Sequence, residues 1–435
     1  MGRRTDPRQH GHRSTVVASA ALVVAAGLNL RDPITSVSAT LDAVSAHYGL
    51  SPAGAAVLSS LPVLLLAVGA PLGPLLDRRF GPERSVLVIA AALVLAVALR
   101  PMGTVALFAG TIVAGAAISG LSVLMPRVIH DRLGSRAGLW SGVFSTSFGV
   151  SAALGAGFTV PLVAAFGSLP LALAAWAVPA LLVVAVAAIA VGRAGRRTTM
   201  LATAGRPRHP LRAGRLLWQV TAFFGCQALV FFATAAWLPT LYVDRGATPE
   251  HAAALLAWLS LAGLPASLVV PVIAGRMPRQ HVLVAIAAAG TLVGLAGVAL
   301  APVELAPVFT GVLGLAQGAA FGLGVALIVL KARSDVAAFS AFAQGFGYAF
   351  AALGPLVLGL LHAAAVPWVG AVGVLAAVVG GEAIAGWAAG RHVVERGTSA
   401  GGFALDAASG ADAEHANDAA SVAAADTDAV GASER

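Results

Sequence analysis

About a dozen apolar stretches, each long enough to cross a bilayer, occupy the chain from Val16 to Ala389, and arginine gathers in every second connection between them. A hydrocarbon core about 30 Å thick needs about 20 mostly apolar residues in helical form. Inside it, only helices and closed barrels satisfy their own backbone groups. The runs here are too long and too evenly apolar for the alternating pattern of barrel strands. The expected fold is therefore an all-α polytopic membrane protein of about twelve transmembrane helices.

Composition agrees, with 58% hydrophobic and 11% charged residues and a mean hydropathy of +0.88. A soluble domain so built could not cover its core with polar surface. The net charge of +8 would suit a nucleic-acid partner, but the cations sit in short loops on one side. That is the pattern that orients helices in a membrane, so the expected partner is the lipid bilayer and no nucleic acid. Cys226, the single cysteine, lies within an apolar run and reads as a small packing residue.

The expected spans are 15–40, 52–76, 85–100, 104–126, 137–163, 168–191, 216–243, 250–274, 281–300, 304–330, 336–362 and 366–390. Four arginines precede the first span, which is longer than a signal-peptide core and is followed by many more, so it reads as an uncleaved helix. Arg78, Arg79, Arg84, Arg127, Arg132, Arg136, Arg276, Arg279, Lys331 and Arg333 mark the inside loops, placing both termini in the cytoplasm of a plasma-membrane protein. The expected organisation is an N-terminal segment (1–14), a six-helix bundle (15–191), a basic cytoplasmic linker (192–215), a second six-helix bundle (216–391) and a disordered tail (392–435). The linker carries arginines and no acid, which suits an anionic inner leaflet. The tail is too poor in apolar residues to bury a core.

The two halves look like distant copies. Ala152-Ala153-Leu154-Gly155 recurs as Ala351-Ala352-Leu353-Gly354, and Phe108-Ala109-Gly110 parallels Phe309-Thr310-Gly311. Two parallel, pseudo-symmetric six-helix repeats are the plan of the major facilitator superfamily. Gly314, Gly318 and Gly322 share one helix face, as do Gly69 and Gly73, and small residues at that spacing let helices pack closely.

The strongest chemical signal is Asn29-Leu30-Arg31-Asp32-Pro33-Ile34-Thr35. An arginine within an apolar segment costs about 2.5–3.5 kcal/mol on insertion scales, so it ordinarily faces a polar interior and has a task. Counted from Val16 at about 1.5 Å per residue, Arg31 lies ~22 Å along the helix, beyond the midplane. Pro33 removes a helical hydrogen bond and frees a carbonyl beside it. Cation, amide and freed carbonyl then meet at a helix break, as in transporter binding sites. The alternative is that Arg31 reaches the outer headgroups or pairs with Asp32 or Asp42. A guanidinium is a planar, permanently charged fork suited to planar anions.

Polar residues are scarce in the other spans, which makes Gln227, Gln317, Gln344, Tyr348, Ser119 and Ser122 conspicuous. Each either lines a site with Asn29 and Arg31 or bridges neighbouring helices. Trp140 and Trp237 fit a cavity wall, and Trp237 also fits an interfacial belt. Glu382 in the last span is a candidate proton carrier, as is Asp32, because desolvation disfavours a charged carboxylate. Pairing of Glu382 with Arg391 is the competing reading. No metal-binding spacing, phosphate-cradling glycine motif or catalytic triad is legible, so neither an enzyme nor any metal or cofactor is expected.

After the second span the chain reads Gly-x-x-x-Asp-Arg-x-x-Gly-x-x-Arg, with Gly73, Asp77, Arg78, Gly81 and Arg84 in the named positions. This resembles the loop signature of the superfamily, and the resemblance implies a gate latch. A plain topological charge cluster is the alternative. The corresponding stretch in the second half, Gly275-Arg276-Met277-Pro278-Arg279, lacks the acid.

Within that superfamily the chain resembles the cyanate permease and 2-nitroimidazole transporter family, from about Gly27 to Trp387. The likeness rests on Asn29-Leu30-Arg31 with Ile34-Thr35-Ser36-Val37, on Val123-Leu124-Met125-Pro126 and on Trp237-Leu238-Pro239. It also uses Gly314-Leu315-Ala316-Gln317-Gly318 and Ala343-Gln344-Gly345-Phe346-Gly347-Tyr348 with Ala352-Leu353-Gly354-Pro355. The resemblance implies a secondary transporter of a small anion or small polar planar solute, working by alternating access, with protons as a candidate coupling ion. Ser122 stands where the family tends to have asparagine, and Phe144 and Phe232 stand near common tyrosines, which implies a less polar cavity. A proton-coupled exporter of amphipathic compounds is the second reading, though Gly155 lacks the proline that follows it in drug antiporters. A polytopic enzyme or sensor is the third.

Overall fold

The computed structural model describes residues 7–203, 214–332 and 335–393. Among them the chain is helical throughout, with no strand. The N-terminal half contains α1 (Pro7–Gly27), α2 (Asp32–Ala39), α3 (Leu41–Tyr48), α4 (Pro52–Val68), α5 (Leu72–Phe80), α6 (Pro82–Leu99), α7 (Thr104–Leu133), α8 (Ala137–Phe166), α9 (Leu169–Ala175) and α10 (Ala177–Thr203). The C-terminal half contains α11 (Arg215–Asp244), α12 (Pro249–Arg276), α13 (His281–Leu300), α14 (Ala306–Lys331), α15 (Val336–Ala351), α16 (Leu353–Ala363) and α17 (Trp368–Arg391).

Ten segments are long and apolar enough to cross a membrane, and α4 with α5 forms one more, bent by 46°. The 63-residue segment Thr104–Phe166 contains both α7 and α8, joined by a single turn at Gly134–Arg136. Counted as two, it brings the crossings to the dozen that the sequence implies. Exposed valines, leucines and isoleucines such as Val68, Val105, Ile286 and Ile384 cover the outer surface, as a lipid-facing belt requires.

Local chemistry explains where helices start and stop. Ser51, Thr248 and Asp335 cap α4, α12 and α15 by accepting backbone N–H bonds from Gly54, His251 and Ala338. Gly81 ends α5 with φ +78°, a conformation that favours glycine. The expected glycine stripe packs α14 on α12: a Cβ at Gly314, Gly318 or Gly322 would strike the carbonyls of Leu259, Gly263 or Ser267. Gly138 and Gly142 do the same between the halves, against the backbone of α12.

Three boundaries differ from the sequence expectation. The first span is broken between Gly27 and Asp32. Its helix begins at Pro7, inside the expected N-terminal segment, and residues 1–6 lie outside the described residues. The expected linker is helical as far as Thr203; residues 204–213, and the expected tail beyond Val393, lie outside the described residues.

Candidate functional site

A cavity of about 130 Å³ lies between the halves, with Arg31, Phe148, Gln227, Phe232, Gln317, Phe321 and Tyr348 in its wall. Its volume is close to the ~150 Å³ of an engineered cavity that admits a single benzene ring. The wall is mostly apolar, with few polar groups converging on it, as small-molecule sites usually are.

Arg31 reaches this wall because the first span stops there. Residues 28–31 leave the helix, and α2 restarts with Pro33 in its first turn, where the missing N–H costs nothing. The freed backbone is held by one hydroxyl: Ser151 Oγ on α8 accepts the N–H of Arg31 (3.0 Å) and of Asp32 (2.9 Å). The same hydroxyl donates to Asp32 Oδ1 at 2.9 Å. Gly155, one turn further on, lets α8 approach, since a Cβ there would strike Thr35 and Asp32.

The Arg31 guanidinium lies over two rings, with Cζ 4.6 Å from the centroid of Phe148 and 5.3 Å from that of Phe232. Such contacts stabilise a cation by about 0.5–2 kcal/mol. Among the described residues no carboxylate lies within ion-pairing distance of it. The alternative of pairing with Asp32 is not what the structure has; Asp32 turns toward Ser151. The side chain of Asp42 lies outside the described residues.

Of the residues singled out in the sequence, Arg31, Gln227, Gln317 and Tyr348 come together on the cavity wall. Gln317 Nε2 donates to Thr234 Oγ1 (3.3 Å), while Gln317 Oε1 and Gln227 Nε2 have no partner and remain available to a guest. Tyr348 packs edge-on against Phe224 and Phe232. Asn29, Ser122 and Gln344 do not line this cavity. Asn29 is buried and donates back to the Ala25 carbonyl at 2.9 Å. Ser122 on α7 donates to Gln344 Oε1 on α15 at 2.5 Å, and Gln344 Nε2 returns bonds to the Ser122 carbonyl and to Ser340 Oγ. These two form a clasp between the halves. Trp237 also leaves the cavity; it donates to the Pro355 carbonyl and packs on His362 and Trp368.

The Gly73–Arg84 stretch is mostly helix α5 rather than loop. Asp77 is buried and ion-paired with Arg127 on α7, Glu83 pairs with Arg132, and Arg78 reaches Asp335 of the other half at 3.8 Å. Gly73 packs on Val123 and Gly120, and Arg84 is exposed. His130 Nδ1 also meets the Val329 carbonyl across the halves at 3.0 Å. Among the described residues, cross-half hydrogen bonds and ion pairs occur at this end and at mid-height, where Thr146 meets Ser267. None joins the halves at the end carrying Tyr48 and Asp244.

Glu382 is fully buried with Oε1 unpartnered, and no ion pair with Arg391 forms. Nine residues separate the two along one helix, about 13 Å at the helical rise, beyond side-chain reach. Arg100 is the charged residue that sequence reasoning missed. It is buried to 2% exposure and donates to the Pro33 carbonyl at 2.6 Å. Its position at the end of a span made it look interfacial. Phe148 and Phe321 were missed because the same residue fills cores throughout the chain.

The Major Facilitator Superfamily model matches residues 17–351. The chain belongs to that superfamily. Relatives place it more finely: it is 32% identical to an uncharacterized transporter, YycB, of Bacillus subtilis (strain 168), covering 85% of this chain and 92% of that one. It is 30% identical to the 2-nitroimidazole transporter of Escherichia coli (strain K12), covering 82% and 91%. It is 29% identical to the cyanate transport protein CynX of the same organism, covering 78% and 89%. The family resemblance read from the motifs therefore holds over most of the chain. The fold matches the proton:xylose symporter XylE (TM-score 0.66, 16% identity, 87% and 96% covered). It also matches the E. coli fucose:proton symporter FucP (TM-score 0.62, 15% identity, 86% and 97% covered). In this superfamily member, the half-buried Arg31 cation, two unsatisfied amides and open volume coincide in the cavity between the halves.

Proposed function

We propose that this transporter moves a small anion or a small polar planar solute, cyanate-like or nitroimidazole-like, by alternating access. The observation that carries this reading is the Arg31 guanidinium, set in the cavity wall between two rings with no acid among the described residues to neutralise it. Gln227, Gln317 and Tyr348 supply neutral hydrogen-bonding groups opposite it. Residues 15–191 rock against 216–391 around the guest, and the Ser122–Gln344 clasp with the Gly73, Asp77, Arg78, Gly81 and Arg84 region holds one end shut. Asn29 acts on the break rather than on the solute. The basic connections support a cytoplasmic side for the clasped end and for both termini. Asp32 and Glu382 are the carboxylates available for proton coupling.

The test is uptake of labelled cyanate and 2-nitroimidazole by cells carrying Arg31→Ala, with membrane insertion checked in parallel. We expect transport to vanish while insertion persists; unchanged transport would refute the reading. The aromatic wall, with Phe231, Phe232 and Phe321, favours one second reading, export of amphipathic compounds. A deletion strain with broadly shifted drug sensitivity would support that reading, and a response confined to one small solute would support the first.

A further inference from the structure

We propose that Arg100 sets the charge selectivity of the cavity: anchored beside Asp32 behind the helix break, it offsets the charge of that carboxylate, so that Arg31 alone presents charge to the solute. This rests on the cavity being the transport site.

Arg31 and Asp32 are adjacent in the chain, and their simplest arrangement would be mutual neutralisation. The structure has the opposite. Arg31 turns into the cavity, and Asp32, 1% exposed, turns toward Ser151 on α8. Ser151 binds one carboxylate oxygen, and the other, Oδ2, has no hydrogen-bond partner. Arg100 closes the arrangement from the end of α6. Its terminal nitrogen bonds the Pro33 carbonyl, one residue beyond Asp32, and its Nε is likewise unpartnered. The two make no direct ion pair, but the Pro33 carbonyl anchors the Arg100 guanidinium one residue from Asp32, while Arg31 lies in the cavity wall.

The balance of charge follows. When Asp32 is ionised, the three groups around this helix break leave one positive charge over, and the geometry assigns that excess to the residue in the cavity wall. A buried and a half-buried cation beside one acid make sense together if one cation serves the acid and the other serves a guest. Among the described residues of this half the other buried charges are Arg100 and, at the clasped end, Asp77, so without Arg100 the half-buried Arg31 is the cation left to Asp32. The carboxylate would then neutralise Arg31 and the cavity would stop favouring anions.

The test compares an anion with its neutral isostere: benzoate and benzamide, with cyanate alongside, measured by ligand-dependent thermal stabilisation of the purified full chain. Wild type should respond to benzoate or cyanate and not to benzamide. Arg100→Gln keeps a donor for the Pro33 carbonyl and removes the charge; it should weaken anion binding at least about tenfold. Adding Asp32→Asn in the double variant should restore it to within about threefold of wild type, because the competing carboxylate is gone. Asp32→Asn alone should bind anions at least as well as wild type. Arg100→Gln binding anions normally would overturn the proposal. So would a double variant as weak as Arg100→Gln with an unchanged ligand-free melting temperature. If wild type responds to neither anion, the anion-site reading itself fails and this inference falls with it.

Discussion

The two six-helix halves meet at one cavity but bring different chemistry to it. The N-terminal half breaks its first span and delivers a charge, Arg31, with Asp32, Ser151 and Arg100 gathered behind it. The C-terminal half keeps its first span, α11, continuous for 30 residues despite Pro239, and delivers neutral groups: Gln227 from α11, Gln317 from α14 and Tyr348 from α15. The difference is physical. A neutral amide can stand on an unbroken helix in apolar surroundings at modest cost, whereas a permanent cation needs nearby ligands and compensating charge. Breaking the backbone at residues 28–31 exposes N–H groups that Ser151 can take, and it turns two adjacent side chains in opposite directions. A duplicated scaffold thus becomes one side that attracts and one side that orients.

The largest effect should come from erasing that asymmetry. Arg31→Ala should weaken solute binding by about 3 kcal/mol, on the order of 100-fold, since it removes a charge-assisted contact in a water-poor site. Arg31→Lys should recover only part of this, because an ammonium cannot reproduce the planar fork or its stacking on Phe148. Apparent affinity measured across both variants decides whether shape or charge alone is recognised. An Arg31→Ala variant no weaker than a glutamine variant would erase the distinction between the halves.

Next in size is the clasp. Gln344→Leu leaves the Ser122 hydroxyl and Ser340 without their partners and removes a link between the halves. The expected cost to the closed end is about 2 kcal/mol, a roughly 30-fold shift toward its opening. Spin labels on Arg84→Cys and Arg279→Cys, in a Cys226→Ser background, report it, both positions being exposed at that end in opposite halves. A longer-distance population should appear in Gln344→Leu and be minor in the parent.

Much of this was legible in the chain, and the misses have causes. The twelve crossings and Arg31 stood out because charge is scarce in apolar runs, which makes each exception informative. Gln227, Gln317 and Tyr348 followed from the same scarcity. Ser122 and Gln344 carried an identical signal, yet they bond each other; a polar residue within a span reads the same whether it faces a cavity or another helix. Arg100 hid because one turn of position separates a headgroup arginine from a buried one. Phe148 and Phe321 were silent because an aromatic side chain in a hydrophobic sequence has no distinctive neighbours; Phe232 was noticed only through the family resemblance.

Smaller effects belong to the neutral half. Gln317→Leu and Gln227→Leu should each cost about 1 kcal/mol, roughly fivefold in affinity, for a neutral hydrogen bond. Phe148→Leu should cost slightly less, removing a cation–ring contact while keeping the wall apolar. Titrations with one solute across the three variants should rank them well below Arg31→Ala. A glutamine variant matching Arg31→Ala would move the centre of recognition into the C-terminal half.

The smallest expected effect tests the latch, again by comparing unlike neighbours. Arg78 and Asp335 pair across the halves at 3.8 Å, but their side chains are 57% and 32% exposed. An exposed pair contributes about 0–1 kcal/mol, so Arg78→Ala should barely change transport or the label distances. Asp77, one residue away, is 2% exposed and paired with Arg127 within the N-terminal half. Removing its charge by Asp77→Asn leaves a half-buried guanidinium without its main partner, so it should lower the melting temperature clearly more than Arg78→Ala does. The motif would then act first as a brace that fixes α5 on α7, and only weakly as a bolt between halves. If Arg78→Ala instead opens the clasped end as far as Gln344→Leu, the cross-half ion pair is the stronger restraint, and the signature works mainly between the halves.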